Sequence, residues 1–350
     1  MKAATAPKRG KTSLRPRLED LAAACGVSVA TVSRALSGGK GVRPDLAERI
    51  HQLARDTHYA LPSGLAGRRI FVLASAAAME DISRSQFTRE VMQGLEERGT
   101  LLRASVESRA IPTSDPERRA LIEAARDPSV AGLLLLTVDD EELLTVARGL
   151  DKPVVLINGD DPMMRLSSVA PSNRAAAALA TDHLVRLGHR RILFLMRRGR
   201  RTIERRLEGW RDRLWPGRPH DPDLVVEEAD WLPDLAAQAI EARIGARGGC
   251  DFTAVLAAGD SLAVGAMQAL ARAGVAVPGQ VSVMGMDGLP QGAFFTPALS
   301  AVAMPMREIG AAAVDLLRDL GTGPELPARR IELACTLLLR ASCGPAPCAP

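Results

Sequence analysis

At 350 residues, with 47% hydrophobic and 25% charged side chains, the chain is long enough for two or three domains and can bury a substantial core. No apolar run approaches the ~18 residues that cross a bilayer, since the longest, Val130–Val138, is broken by Gly132 and Thr137, and this excludes a helical membrane span. The net charge of +4 hides an asymmetry: residues 1–69 carry thirteen Lys/Arg against five Asp/Glu, which is +8 and leaves −4 on the remainder.

A basic N-terminal module on a mildly acidic body is the charge distribution expected of a protein that meets a phosphate backbone. The five cysteines (Cys25, Cys250, Cys335, Cys343, Cys348) form no CxxC pair and have no histidine at zinc spacing. Free thiols in a reducing compartment, with no metal, are therefore expected. The basic N-terminus is followed by no apolar stretch, so it does not read as a secretory signal; a cytoplasmic protein is expected.

In chain order, Leu18, Leu21, Ala22 and Cys25 have helical spacing, and Gly26 then permits the positive φ of a tight helix–helix turn. Ser28 is a suitable N-cap for a second helix that turns Val32 and Leu36 inward and leaves Val29, Ala30, Ser33 and Arg34 on other faces. Pro44 opens a third helix with Leu46, Ile50, Leu53 and Ala54 as its buried stripe. Two short helices joined through a glycine turn and braced by a third make a helix-turn-helix, whose second helix enters the major groove. The alternative is a three-helix bundle without a nucleic-acid role; the basic balance and the small polar outer face of the second helix count against it.

The run Arg17–Gly38, with Gly26-Val-Ser-x-x-Thr-Val-Ser-Arg34 at its centre, followed by Val42-Arg-Pro-Asp45 and His58-Tyr59, resembles the headpiece of the LacI/GalR family. That resemblance implies that Val29, Ala30 and Arg34 face base edges while Ser28, Thr31 and Ser33 hold phosphates. The chemistry is consistent: an arginine can donate two bonds to a guanine edge, Val and Ala offer apolar contact to a thymine methyl, and hydroxyls near a helix N-terminus suit phosphate oxygens. The family's hinge folds into a short helix that pushes a leucine into the minor groove. Here Tyr59–Arg69 keeps the Leu65-Ala-Gly-Arg68 end but is several residues shorter, and Pro62 and Gly64 oppose a stable helix. Leu65 is the candidate wedge, with Arg68 and Arg69 placed to meet phosphates; the alternative is a flexible linker with Leu65 docked on the body.

From Arg69 onward, strands alternate with amphipathic helices: strands at Ile70–Ser75, Leu102–Val106, Gly132–Thr137, Pro153–Asn158, Arg191–Met196, Leu224–Glu227, Ala254–Ala257 and Val281–Met284. This predicts two successive doubly wound α/β units, with ligands bound beyond the carboxyl ends of the strands in a cleft between lobes. The fold expected overall is an all-α helix-turn-helix headpiece plus a two-lobed, periplasmic-binding-protein-like α/β body. The LacI/GalR resemblance continues through the body in Pro153–Asn158, Ser172–Ala177, Leu187–Ile192, Arg206–Trp210, Ala257–Asp260, Val281–Asp287 and Thr296-Pro297.

By that resemblance Asn173, Arg206, Trp231, Asp260 and Asp287 contact a small-molecule effector, with Gln86 and Phe87 closing the other side. Carboxylates accept from vicinal hydroxyls, Arg and Asn supply fixed donors, and an indole face stacks on a sugar ring or a base. Each has a plainer alternative: Asp260 as a helix cap, Trp231 as packing, Arg206 as one solvated arginine of the charge-rich Arg197–Arg213 stretch. His183 and His189 read as surface and turn residues. Ser172, Gly259 and Gly288 stand where the family usually has Asp, Asn and a second Asp, each removing or shortening a polar group.

The expected organisation is a disordered basic arm (1–16), a helix-turn-helix domain (17–59), a hinge (60–68), a body (69–340) and a disordered tail (341–350). The first lobe would comprise about 69–158 and 303–323, the second about 159–290 and 328–340. The function expected is a transcriptional regulator, a repressor, whose operator binding a sugar or nucleoside-like effector modulates. Its partners would be a palindromic double-stranded DNA operator and a second copy of the chain, without a membrane or a cofactor. Two alternatives stand beside it: a regulator that answers to a partner protein instead of a small molecule, and an enzyme on the doubly wound body. For the enzyme no GxGxxG after the first strand, P-loop or GxSxG is found.

Overall fold

The structure, a computed structural model, describes residues 18–36, 41–57, 64–75, 82–111, 115–217, 219–321 and 326–347. The chain divides into two compact units, Met1–Ala66 and Gly67–Pro350. The expected arm at 1–16 and the first part of the hinge, residues 60–63, lie outside the described residues.

The first unit contains helices α1 (Leu18–Cys25), α2 (Val29–Leu36) and α3 (Pro44–Asp56). Its core is the predicted stripe: Leu21, Ala22, Cys25, Val32, Ala35, Leu36, Ile50 and Ala54 are buried together, with Leu46 and Leu53 half-buried against them. Gly26 takes φ 68°, and Val27 N–H closes the turn on the Ala22 carbonyl at 3.1 Å. An L side chain at that φ would be strained, so a glycine ends α1 here. The Ser28 hydroxyl accepts from Thr31 N–H at 3.1 Å, capping α2 as expected. His51 Nε2 lies 3.1 Å from the Ala35 carbonyl and ties α3 to the end of α2.

The second unit has two six-stranded, mostly parallel sheets. Strands β1 (Arg69–Ser75), β2 (Ser105–Ile111), β3 (Val130–Leu136), β4 (Val154–Ile157) and β5 (Ser167–Pro171) alternate with helices α4 (Ile82–Leu101), α5 (Asp115–Arg126) and α6 (Glu141–Arg148). Helix α7 (Asn173–Arg186) starts the second lobe, followed by β6 (Ile192–Arg197), α8 (Arg201–Leu214), β7 (Val225–Glu228), α9 (Pro233–Arg247), β8 (Ala254–Ala257), α10 (Asp260–Arg272), β9 (Ser282–Asp287) and β10 (Ser300–Ala303). Helix α11 (Met306–Leu320) and β11 (Arg330–Leu333) return to the first lobe, and β12 (Thr336–Leu338) pairs antiparallel with β10 in the second. The first sheet runs β11-β5-β4-β3-β1-β2 and the second β12-β10-β9-β8-β6-β7. Their central strands read as continuous apolar runs because helices cover both faces; every residue of β3 is buried.

Three expectations are corrected. Residues 167–171 and 330–333 belong to the first sheet rather than the second lobe, so the lobes exchange chain at Pro171–Asn173, Ala303–Met306 and Leu333–Thr336. The second strand begins at Ser105, because Leu102 still bonds to the last turn of α4 and Arg103 takes φ 58°. The segment 341–347 is ordered. Ser342 is fully buried, its hydroxyl donating to the Val283 carbonyl at 2.6 Å and accepting from Ser300 N–H at 2.8 Å, while Ala346 N–H reaches the Leu187 carbonyl at 2.8 Å. Prolines suit such an extended run, since they oppose helices but not a segment bonded through its neighbours.

The α7–α8 crossing places the residues that matter below. A Cβ built on Gly209 would stand 2.0 Å from the Arg174 carbonyl, so a glycine is required for α8 to lie directly on the start of α7. That contact brings Arg206, one turn earlier on α8, against Asn173.

Candidate functional site

Two regions could carry function. On α2, Val32, Ala35 and Leu36 are buried, while Ser28, Val29, Ala30, Ser33 and Arg34 are exposed and Thr31 is half-buried. The helical period therefore turns the six candidate DNA contacts to one outer surface of the unit. The Ser28 and Thr31 hydroxyls sit 2.9 Å apart at the helix N-terminus, where the positive end of the dipole suits phosphate oxygens. Arg34 Nε donates to the Ala30 carbonyl one turn back at 3.3 Å, holding the long side chain along the exposed face.

The hinge candidates are placed differently. Leu65 is 3% exposed, so its side chain is sequestered rather than presented as a wedge. Arg68 Nη2 donates to the Val130 carbonyl at 2.9 Å and to the Pro128 carbonyl at 3.4 Å. Arg69 pairs with Glu107 and Asp127 and donates to Ser129 Oγ at 2.9 Å. Both guanidinium groups are thus bonded to protein acceptors in this structure.

In the body, the carboxyl ends of the second sheet's strands gather five of the seven effector candidates. Arg206, 4% exposed, donates through Nε to Asn173 Oδ1 at 2.7 Å and through Nη1 to the Ala258 carbonyl and, at 3.3 Å, the Met286 carbonyl. Asp287 Oδ1 stands 4.0 Å away. Asn173 completes its own bonding by donating Nδ2 to the Pro171 carbonyl at 3.1 Å. Asp287 Oδ2 accepts from Asp260 N–H at 3.0 Å, and Asp260 Oδ2 from Leu289 N–H at 2.8 Å. Asp260 therefore pins the loop after β9 and does not cap its own helix through its side chain; Arg206 is a buried anchor and not a solvated surface arginine.

Burial, reinforced by the charge of Asp287, pushes the Asp260 carboxyl up to about 7. Burial also raises Asp287, against the pull of Arg206. Desolvation lowers the Arg206 guanidinium below its ordinary range. The half-buried Trp231 ring packs on Gly259: a Cβ there would meet the indole at 3.1 Å and Asp287 Oδ2 at 3.4 Å. The missing side chain at 259 is thus what admits the indole. Gly288 takes φ 75° and a Cβ would stand 2.5 Å from Ala303 Cα, so no Asp fits there, while the Ser172 hydroxyl donates to Glu332 at 2.8 Å. On the opposite lobe Gln86 accepts from Gln291 Nε2 across the cleft, and Phe87 is half-buried.

Residues 17–61 match the bacterial regulatory proteins of the lacI family, and residues 181–343 match a periplasmic binding protein-like domain. The chain is 31% identical to the HTH-type transcriptional regulator reg1 of Streptomyces lividans, over 95% of this chain and 97% of that protein. This chain belongs to the lacI family. Another relative is the HTH-type transcriptional regulator MalR of Streptomyces coelicolor, 30% identical over 95% of this chain and 97% of that protein. Among solved structures, the transcriptional regulator CelR–cellobiose complex superposes with a TM-score of 0.70 at 26% identity, covering 94% of this chain and 100% of that one. The protein is accordingly a DNA-binding transcriptional regulator with a ligand-binding type of body.

The regulator's cleft holds further polar groups that the sequence did not single out. Thr137 Oγ1, Asp139 Oδ1, Asn158 Oδ1 and Thr202 Oγ1, together with Asp260 Oδ1, are buried without a hydrogen-bond partner among the described residues. They stand just beyond β3, β4, β6 and β8, where ligands collect in doubly wound sheets. Thr137 and Asn158 adopt positive φ (57° and 48°), which turns the chain sharply at those strand ends. Their strand-end position was a usable signal; their unmet bonding is a tertiary fact.

Proposed function

We propose that this regulator represses transcription as a homodimer bound to a palindromic operator, and that a small hydroxyl-rich effector, a sugar or nucleoside-like compound, modulates that binding from the cleft. Helix α2 lies in the major groove, with Arg34, Val29 and Ala30 toward base edges and Ser28, Thr31 and Ser33 toward phosphates. In the cleft, Asn173, Arg206, Trp231, Asp260 and Asp287 face the ligand from one lobe and Gln86 and Phe87 from the other. The carrying observation is the set of buried, unpartnered oxygens from both lobes, three of them carboxylate or amide acceptors. A ligand rich in hydroxyl donors is the chemical complement of such acceptors, and the Trp231 ring adds an apolar platform for a sugar or base ring.

The protein acts by binding rather than by catalysis, and it does so in the cytoplasm; among the described residues no helix is long and apolar enough to cross a membrane. Leu65 serves as a minor-groove wedge after leaving its buried position. The assembly is a twofold dimer, the symmetry that a palindromic operator matches; light scattering should give the dimer mass, and a tetramer would contradict it. The decisive test is a thermal-shift screen of mono- and disaccharides, cellobiose among them, and nucleosides. A true effector raises the melting temperature by mass action and shifts operator affinity in gel-shift assays. If no compound does either, the second reading takes over, a regulator controlled by a partner protein, which the altered Ser172, Gly259 and Gly288 positions favour.

A further inference from the structure

We propose that Arg200, Arg201 and Arg205, at the start of α8 in the second lobe, form a latch that holds the two lobes closed on each other before any effector is bound. Arg200 Nε donates to Asp139 Oδ2 at 2.9 Å and its Nη2 to the Asn158 carbonyl. Arg201 donates to the Asp160 carbonyl and to Glu141 Oε2, each at 3.1 Å. Arg205 Nε reaches Asp160 Oδ2 at 2.9 Å, and Asp160 is held in turn by Arg330 of the first lobe. Every acceptor lies beyond β3 or β4 of the first lobe, and every donor is on the second.

The placement of these cations is locally unfavourable. Arg200 is the N-cap of α8 and supplies no side-chain cap, and Arg201 is its first residue, so both sit at the positive end of a helix dipole. Such a conflict between local preference and structure is resolved only if carboxylates are brought to the same place. Asp139, Glu141 and Asp160 do this, and they come from the other lobe. Opening the cleft would take these three carboxylates away from two arginines at the helix N-terminus, where the first turn of α8 itself supplies the single acidic residue Glu204. Two of the pairs are well shielded: Asp139 and Asp160 side chains are 9% and 7% exposed. Shielding of this kind makes loss of one partner costly, because the other charge is stranded. Neighbours in the same arginine-rich run behave differently. Arg198 pairs with Glu227 and Arg197 with the Ala229 carbonyl, both inside the second lobe.

The test is hydrogen–deuterium exchange on the full-length chain without ligand, comparing wild type with an Arg200→Gln/Arg205→Gln variant and an Arg198→Gln control. The latch variant should exchange roughly tenfold faster at residues 137–141, 158–162 and 200–204, with the β6 and β8 amides unchanged and a larger radius of gyration in solution scattering. The control should match wild type. Unchanged exchange in those three segments overturns the proposal, as does faster exchange spread evenly over the body. Should the variant fail to fold, wild type alone decides: raising salt from about 0.05 M to about 1 M should speed exchange in the same three segments, and salt-independent exchange there overturns the latch.

Discussion

Helix α2 and the interlobe cleft solve recognition in opposite ways. On α2 the candidate contact residues are exposed, neighbouring in sequence and largely uninvolved in the core of their own unit. In the cleft they are buried or half-buried, drawn from positions as far apart as 86 and 287, and several are bonded to one another. A substitution on α2 should therefore alter binding and leave the fold intact, whereas one in the cleft should alter both. Preorganisation within the protein makes a residue that touches ligand also a residue that holds the site together.

The sharpest way to break this contrast is Arg206→Ala. It strands Asn173, Asp287 and two strand-end carbonyls, and removing one partner of a buried charged network costs roughly 3–5 kcal/mol. Chemical denaturation should show that loss, and a change within experimental error would mean the cleft is no more prebuilt than α2. The Asp260 carboxyl gives the next effect, through pH. Its folded value of about 7 lies above its ordinary 3.8, so the folded body binds the extra proton. The stability it contributes is full below about pH 4 and is lost as pH rises through 7, and the raised Asp287 adds in the same direction. His189 acts oppositely: buried against Thr253, Ser282 and the Gly344 carbonyl, it is held below its ordinary value, and its contribution is present above pH 6.5 and lost on acidification. Melting temperature followed from pH 5 to 8 should fall toward the alkaline end in wild type and fall less in Asp260→Asn.

On α2, Arg34→Ala should remove about 1–3 kcal/mol of discrimination between operator and mismatched DNA in gel-shift titrations. Its effect on stability should stay within roughly 0.5 kcal/mol, as for other exposed positions. The smallest effect is Ser28→Ala, which deletes the α2 cap and should cost the first unit about 1 kcal/mol by thermal denaturation.

The headpiece was legible in the sequence almost to the residue, because its information is local. Cap, glycine turn and apolar stripe all lie within a few turns of one another, and helix periodicity decides which side chains point out. The alternation of the body was legible for the same reason, as were the long apolar strands at its centre. The strands β5, β10, β11 and β12 were not, since they stand outside the regular strand–helix alternation and become strands through the partners they find. Arg206 illustrates the remaining gap. Its frame with Gly209 and Trp210 could be read, but its contact with Asn173 depends on how closely α8 crosses α7.

Sequence alone therefore determined the helix-turn-helix and the two doubly wound lobes, and the family resemblance it carries named the acidic, amide and aromatic candidates for the cleft. Tertiary structure decided where the lobes exchange chain, which of those polar groups are already spent on one another, and that Arg68 and Arg69 are held by the protein. It also decided what fills the places of Gly259 and Gly288. Periodicity and turn chemistry act over a few residues and are written in order along the chain. Burial, bond satisfaction and pKa depend on distances between segments that no local pattern encodes.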